Sequence, residues 1–184
     1  SSSSIIYANP CKANSFIKHA ASLGVDTMTF DNESELCKIK KLFPSAKMVL
    51  RIRVDDSQAI CQLGMKFGCS IEHVPHLLQV AKELDLNIIG VSFHVGSGCQ
   101  DIHAYSRALE TSAKAFEWGK SLGFSFTFLD IGGGFPGSKE SLMLFEQIAS
   151  IINESLDKYF PISSGIKIIA EPGRYFMASA FTLC

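Results

Sequence analysis

Long apolar runs, a prevailing sign of charge and paired cysteines are all missing from this chain. No stretch is apolar enough to cross a bilayer, and no leader-like segment opens the sequence, so neither a membrane span nor a signal peptide is expected. Seventeen Lys and Arg against eighteen Asp and Glu leave a formal net charge of −1. That balance favours neither nucleic acid nor a membrane surface as a partner and points to a small molecule or a protein. The six cysteines (Cys11, Cys37, Cys61, Cys69, Cys99 and Cys184) contain no C-x-x-C pair. Free thiols in a reducing, cytoplasmic compartment account for them better than a disulfide framework, and no metal site is expected. An initiator Met is also missing; the chain opens on four serines and stops within Ala180–Cys184. Both ends are expected to be cuts in a longer protein.

What is present is a core-forming α/β pattern. With 47% hydrophobic and 19% charged residues, the 184 positions fit one globular domain spanning 1–184. Ile5-Ile6-Tyr7-Ala8 reads as a strand, followed by a helix capped by Asn9 with Pro10 in its first turn, whose inner face holds Phe16, Ile17, Ala20, Ala21 and Leu23. Strand Thr27–Phe30 follows, and then a helix capped by Asp31 with Leu36, Ile39, Leu42 and Phe43 at helical spacing. Met48–Ile52 forms the third strand, carrying Arg51 near its carboxyl end, and residues 55–69 read as a long loop. Ser70 caps a helix through Leu84, and Asn87–His94 is the fourth strand, apolar as buried parallel strands are. A helix opened by Asp101, the strand Phe126–Leu129, a helix after Ser138 and the strand Ile166–Ala170 complete the series.

Strands alternating with helices predict parallel pairing through right-handed crossovers. Between a doubly wound sheet and a (β/α) barrel, the barrel is preferred. Strands four, five and six all run into polar, glycine-bearing motifs, as expected when one carboxyl-end rim builds the site. The fold class is therefore α/β, a partial TIM (β/α)8 barrel with six of the usual eight strands.

The chemistry centres on Asp130-Ile131-Gly132-Gly133-Gly134. Successive glycine N–H groups after a strand make a concave anion site, although such a triplet also serves simply to join a strand to a helix. Gly96, Ser97 and Gly98, just past His94, add further donors on the same rim. Arg174 supplies a guanidinium that can hold phosphate oxygens with two nitrogens, or else pair with Glu171 at the surface. Glu171 ends an apolar strand, where a buried carboxylate needs a cationic or proton-sharing partner; a ring nitrogen would serve.

Four stretches carry a resemblance: Tyr7-Ala8-Asn9-Pro10-Cys11-Lys12, Ser92-Phe93-His94-Val95-Gly96-Ser97-Gly98-Cys99, Leu129-Asp130-Ile131-Gly132-Gly133-Gly134-Phe135-Pro136-Gly137 and Ala170-Glu171-Pro172-Gly173-Arg174-Tyr175. Together, in order and at the family's spacing, they resemble the eukaryotic ornithine decarboxylase family. The resemblance implies the alanine-racemase-like barrel of fold-type III enzymes and the cofactor pyridoxal 5'-phosphate. It makes His94 the imidazole on the cofactor ring, Glu171 the partner of the pyridine nitrogen, and Ser97, Gly132, Gly133, Gly134 and Arg174 the phosphate cradle. Arg51 is placed near the ring and Glu171, and Asp130 orients neighbours by hydrogen bonds.

The resemblance further implies decarboxylation of L-ornithine to putrescine by a homodimer with shared active sites. The Schiff-base lysine belongs upstream of Ser1, the completing cysteine and aspartate beyond Cys184, and a C-terminal β domain beyond that, so the 184-residue piece alone is expected to be inactive. Residues 7–32 match the region through which the family binds antizyme; Lys12 and Lys18 there read as a solvated helix face. Two other functions share the resemblance: a non-catalytic antizyme inhibitor, and a related decarboxylase acting on lysine, arginine or diaminopimelate.

Overall fold

The computed structural model describes residues 5–181. The first serines and Thr182–Cys184 lie outside the described residues. In chain order the elements are β1 (Ile6–Tyr7), α1 (Asn14–Ser22), β2 (Thr27–Phe30), α2 (Glu33–Leu42), β3 (Lys47–Arg51), β4 (Ala59–Cys61), α3 (Val74–Glu83), β5 (Asn87–Ser92), β6 (Ser97–Cys99), α4 (Ala104–Ser121), β7 (Phe128–Asp130), α5 (Leu142–Tyr159), β8 (Lys167–Ile169) and the short α6 (Gly173–Met177).

Six strands pair in the order β1-β2-β3-β5-β7-β8, every pair parallel. The order never reverses, so the sheet has no switch point of the doubly wound kind and curls as half of a barrel. Consecutive helices contact one another from α1 to α5, forming the outer layer. Between the layers lie Ile17, Leu36, Ile39, Leu78, Ala81, Leu109, Ala115 and Ile148, all fully buried. A fully buried Leu or Ile in such a layer contributes about 2 kcal/mol through removal of apolar area from water.

One glycine fixes how closely two strands approach. The β3–β5 register shifts between Met48 and Val49, and β5 passes β7 so closely at Gly90 that an added Cβ would lie 1.8 Å from the Phe128 carbonyl oxygen.

Several sequence expectations change at element ends. The first helix starts at Asn14 after Ala13, not at Asn9, and Phe16 and Leu23 are exposed. Asn32, not Asp31, caps α2, accepting from the Glu35 N–H at 2.9 Å, while Asp31 Oδ2 reaches across to the Gly68 N–H at 2.8 Å. Either carboxylate or amide can cap; the longer-range bond has claimed Asp31. Ser70, Asp101 and Ser138 make no side-chain cap to a helix, since a single 3₁₀ turn or bend precedes each of α3, α4 and α5. β5 ends at Ser92, two residues before His94.

The expected long loop of residues 55–69 contains β4, which pairs antiparallel with β6 as a small flap over the carboxyl end of the sheet. Asp56 closes its tip, with Oδ2 accepting from the Gly64 N–H at 2.7 Å and from Leu63. The base is joined to β3 where Arg53 N–H donates to Cys69 O at 2.7 Å and Cys69 N–H to Arg51 O at 2.9 Å.

Lys12 is the largest departure. It precedes α1 and is 2% exposed, with Nζ 2.7 Å from Glu35 Oε1 and donating to Thr29 O at 2.6 Å. Among the described residues no helix is long and apolar enough to cross a membrane, and Cys11, Cys37, Cys61, Cys69 and Cys99 are free thiols.

Candidate active site

The carboxyl ends of β3, β5, β7 and β8 deliver Arg51, His94, Asp130 and Glu171 to one rim. Arg51, His94 and Asp130 arrive there because a buried strand ends and the chain must turn, after the buried Val49-Leu50, Val91-Ser92 and Phe128-Leu129; Glu171 follows β8, whose residues are exposed or half-buried. The glycine turn after β7 is locked on both sides. Gly132 has φ +64°, and a Cβ there would meet the Phe93 carbonyl oxygen at 2.0 Å. At Gly133 a Cβ would lie 2.7 Å from Glu171 O and 2.8 Å from His94 Nε2. The turn is thus wedged between the ends of β5 and β8, and Glu171 N–H donates to Gly132 O at 2.7 Å.

Asp130 is fully buried. Its Oδ1 accepts from the Gly132 N–H at 2.8 Å, and its Oδ2 has no partner among the described residues. Burial, reinforced by the neighbouring Glu171 carboxylate, pushes its carboxyl up to about 8. Arg51 feels the charges of Glu171, Asp31 and Asp130, lies over the Phe67 ring at 5.0 Å, and has its guanidinium lowered chiefly by burial. The positive Arg51 and the His94 imidazole are close enough that Arg51, after burial, is the second influence holding His94 below the ordinary histidine range.

Ser97 and Arg174 meet directly. Arg174 donates to Ser97 Oγ from Nε at 3.1 Å and from Nη2 at 2.9 Å. Both Gly133 and Gly134 are buried, yet among the described residues neither N–H donates to a protein acceptor. Buried amide donors require an acceptor, and two of them beside a hydroxyl and a guanidinium form a socket for a multiply charged oxyanion.

One expectation changes here. Glu171 is exposed rather than buried; β8 is the edge strand of the described sheet, so only one side of it is covered by protein. Arg174 is exposed as well. Two contributors were not singled out from the sequence: Phe67, under Arg51, and Tyr105, whose hydroxyl reaches the glycine turn from α4 at 2.9 Å. A tyrosine on the largely apolar inner face of a helix was the one available clue, since a buried phenol needs an acceptor.

The residues fit pyridoxal 5'-phosphate on the structure's own terms. The glycine turn has unpartnered amides and no room for side chains, Arg174 and Ser97 flank it, and Asp130 keeps an orphaned carboxyl oxygen next to Glu171.

Comparison with known proteins gives a consistent picture. Residues 1–178 match the family model described as pyridoxal-dependent decarboxylase, pyridoxal binding domain. Ornithine decarboxylase of Mus pahari is 57% identical over 179 residues, covering 97% of this chain and 39% of that protein. Antizyme inhibitor 2 of Xenopus laevis is 54% identical over 179 residues, with 97% and 39% covered. The crystal structure of the Paramecium bursaria Chlorella virus arginine decarboxylase matches with a TM-score of 0.89 at 43% identity, covering 96% of this chain and 47% of that one. The chain thus spans about two fifths of the length of the curated relatives it matches.

Proposed function

The chain belongs to the pyridoxal-dependent decarboxylase family, in its pyridoxal-binding domain, and on that premise we propose that the whole protein decarboxylates L-ornithine to putrescine and CO₂, a step of polyamine synthesis. The cofactor is pyridoxal 5'-phosphate, which when bound supplies an electron sink for the electron pair that departing CO₂ leaves behind. Gly133, Gly134, Ser97 and Arg174 would hold its phosphate, Glu171 its pyridine nitrogen, and His94 the ring. Arg51 would balance the Glu171 carboxylate beside the buried carboxyl of Asp130.

The observation that carries this reading is the undamaged cradle: two buried amides without acceptors lie beside the Arg174–Ser97 pair. A protein with no use for the cofactor has no reason to keep buried donors unpaired. We take the chain as the barrel portion of a cytoplasmic homodimer whose active sites are completed by a lysine, a cysteine, an aspartate and a β domain outside these residues. The piece alone would be inactive. Antizyme would bind through residues 7–32, where α1 turns exposed Phe16, Lys18 and His19 outward.

A second reading, a non-catalytic antizyme inhibitor, is favoured by the 54% identity to antizyme inhibitor 2. A third, a related basic amino acid decarboxylase acting on arginine, lysine or diaminopimelate, is favoured by the likeness to the viral arginine decarboxylase. The full-length protein, purified with pyridoxal 5'-phosphate, separates the three. Cofactor absorbance with CO₂ release from ornithine supports the first; release only from another amino acid selects the third. No cofactor uptake with tight antizyme binding selects the second.

A further inference from the structure

Tyr105 enters the glycine turn from outside the strand ends. It sits near the start of α4, fully buried, with its ring stacked on Phe135 at a 5.0 Å centroid distance and 22° between planes. Its hydroxyl donates to Gly133 O at 2.9 Å. Burial holds the phenol well above its ordinary pKa, so it stays a donor at any working pH. For packing alone, phenylalanine would fill the same space without a polar atom to satisfy. The hydroxyl therefore acts on what it touches.

The carbonyl it touches belongs to the same planar peptide as the Gly134 N–H. In a trans peptide the C=O and N–H point in opposite directions, and no cis bond is present among the described residues. Fixing Gly133 O toward Tyr105 therefore turns the Gly134 N–H away from α4. That N–H is one of the two buried donors without a protein acceptor. The peptide joins two glycines, with Gly134 at φ +107°, so no Cβ resists a flip that would aim the carbonyl, instead of the N–H, at an anion. A Cβ at Gly134 would also meet Gly96 O at 2.6 Å and the Tyr105 hydroxyl at 3.0 Å. The turn must keep its glycine and hence its freedom to flip.

We propose that Tyr105 is a positioning residue for the anion cradle: its hydroxyl holds the Gly133–Gly134 peptide so that the Gly134 N–H faces the cofactor phosphate. The inference rests on the cofactor reading above and adds to it the device that selects one of two peptide orientations.

The test uses the full-length protein, wild type and Tyr105→Phe, and compares equilibrium binding of pyridoxal 5'-phosphate with that of pyridoxal, which has no phosphate. Losing one buried hydrogen bond should weaken pyridoxal 5'-phosphate roughly five- to tenfold. Pyridoxal binding should stay within about twofold, because the ring contacts of His94 and Glu171 are untouched. Tyr105→Met, which keeps bulk without a hydroxyl, should repeat the selective loss. Equal weakening of both ligands would reduce Tyr105 to a packing residue, and an unchanged pyridoxal 5'-phosphate affinity would remove it from the cradle; either result overturns the inference while leaving the cofactor reading intact. A wild-type protein that takes up neither ligand overturns both.

Discussion

The Gly96 N–H donates to His94 Nδ1 at 3.0 Å, from two residues further along the same turn. An accepting Nδ1 carries no proton, so the neutral ring bears its hydrogen on Nε2, the nitrogen that abuts Gly133. One backbone amide thus fixes both the tautomer and the tilt of the imidazole.

His94 is expected to titrate below the ordinary histidine range, because burial and then the Arg51 charge oppose protonation. A base depressed in the folded state binds fewer protons there than in the unfolded chain. Its contribution to stability is complete above the ordinary imidazole value of about 6.5 and falls as pH drops below it. Nitrogen-15 NMR of histidine-labelled, cofactor-free protein should show the Nε2–H form down through that pH. An Nδ1–H tautomer, or a pKa at or above the ordinary value, would contradict the Gly96 contact.

Asp130 is expected to pull stability the other way. Its folded carboxyl is raised to about 8, with burial the largest cause and Glu171 the next. A raised acid stabilises fully below its unfolded value of about 4, and that contribution is lost as pH rises through the folded value. Urea denaturation of the cofactor-free full-length protein across pH 5 to 8 should therefore show declining stability from this residue. Asp130→Asn, which can still accept from Gly132 N–H, should flatten that decline. An unchanged slope in the variant would mean that Asp130 is ionised throughout.

The barrel-type winding was legible in sequence because buried strands and one-sided helices repeat with unbroken apolar periods, from Met28 and Phe30 to Ile148 and Ile152. The rim residues were legible for a related reason: Arg51, His94 and Asp130 stand where an apolar strand ends, and a polar group there has nowhere to go but the rim. The β4–β6 flap escaped notice because it is made by Asp56 folding its own loop, with no alternation of side chains to mark the strands. Burial of Lys12 depends on Glu35, 23 residues away, and no local pattern reveals such a partner. Glu171 was expected to be buried from the apolar run before it, but an edge strand covers only one side.

Arg174→Lys should weaken pyridoxal 5'-phosphate binding about tenfold. Arg174 grips Ser97 Oγ with two nitrogens at fixed angles, and a lysine point charge cannot reproduce that fork. Ser97→Ala leaves the guanidinium charge and should cost less, about threefold, by freeing Arg174 to swing. Equilibrium dialysis of the two variants would reveal the ranking. A larger loss from Ser97→Ala would shift the main phosphate contact from guanidinium to hydroxyl.

Gly90→Ala should destabilise the full-length protein by about 3 kcal/mol. The obstacle is the Phe128 carbonyl oxygen, which is backbone in a paired strand and unable to rotate aside. Gly123→Ala provides the comparison. Gly123 has φ +90° with nothing within 4 Å of an added Cβ, so only backbone strain of about 1 kcal/mol is expected. If thermal melts place the two variants together, the tight β5–β7 approach is not what demands glycine at position 90.

Lys12 and Glu35 should behave as a buried pair. Lys12 Nζ lies 2.7 Å from Glu35 Oε1, Lys38 Nζ lies 2.6 Å from Glu35 Oε2, and both Lys12 and Glu35 are buried. Lys12 also donates to the carbonyls of Thr29 and Asn9, so the pair ties the segment before α1 to the end of β2 and to α2. Burial is the largest influence on Lys12 and lowers its pKa, while Glu35 opposes the shift. Removing the carboxylate with Glu35→Leu would leave a buried ammonium facing carbonyls, the Tyr7 ring and the like charge of Lys38, with no counter-charge, a loss of about 3 kcal/mol. Lys12→Met should cost a similar amount by stranding Glu35, softened by Lys38, which remains beside it. The double variant should recover at least about 1.5 kcal/mol relative to the sum of the two, because each single change strands a charge that the double change removes. Additive losses would show that the two side chains are stabilised independently by backbone and solvent. In that case the 9–13 segment would be held to the barrel by its carbonyl contacts and not by the ion pair.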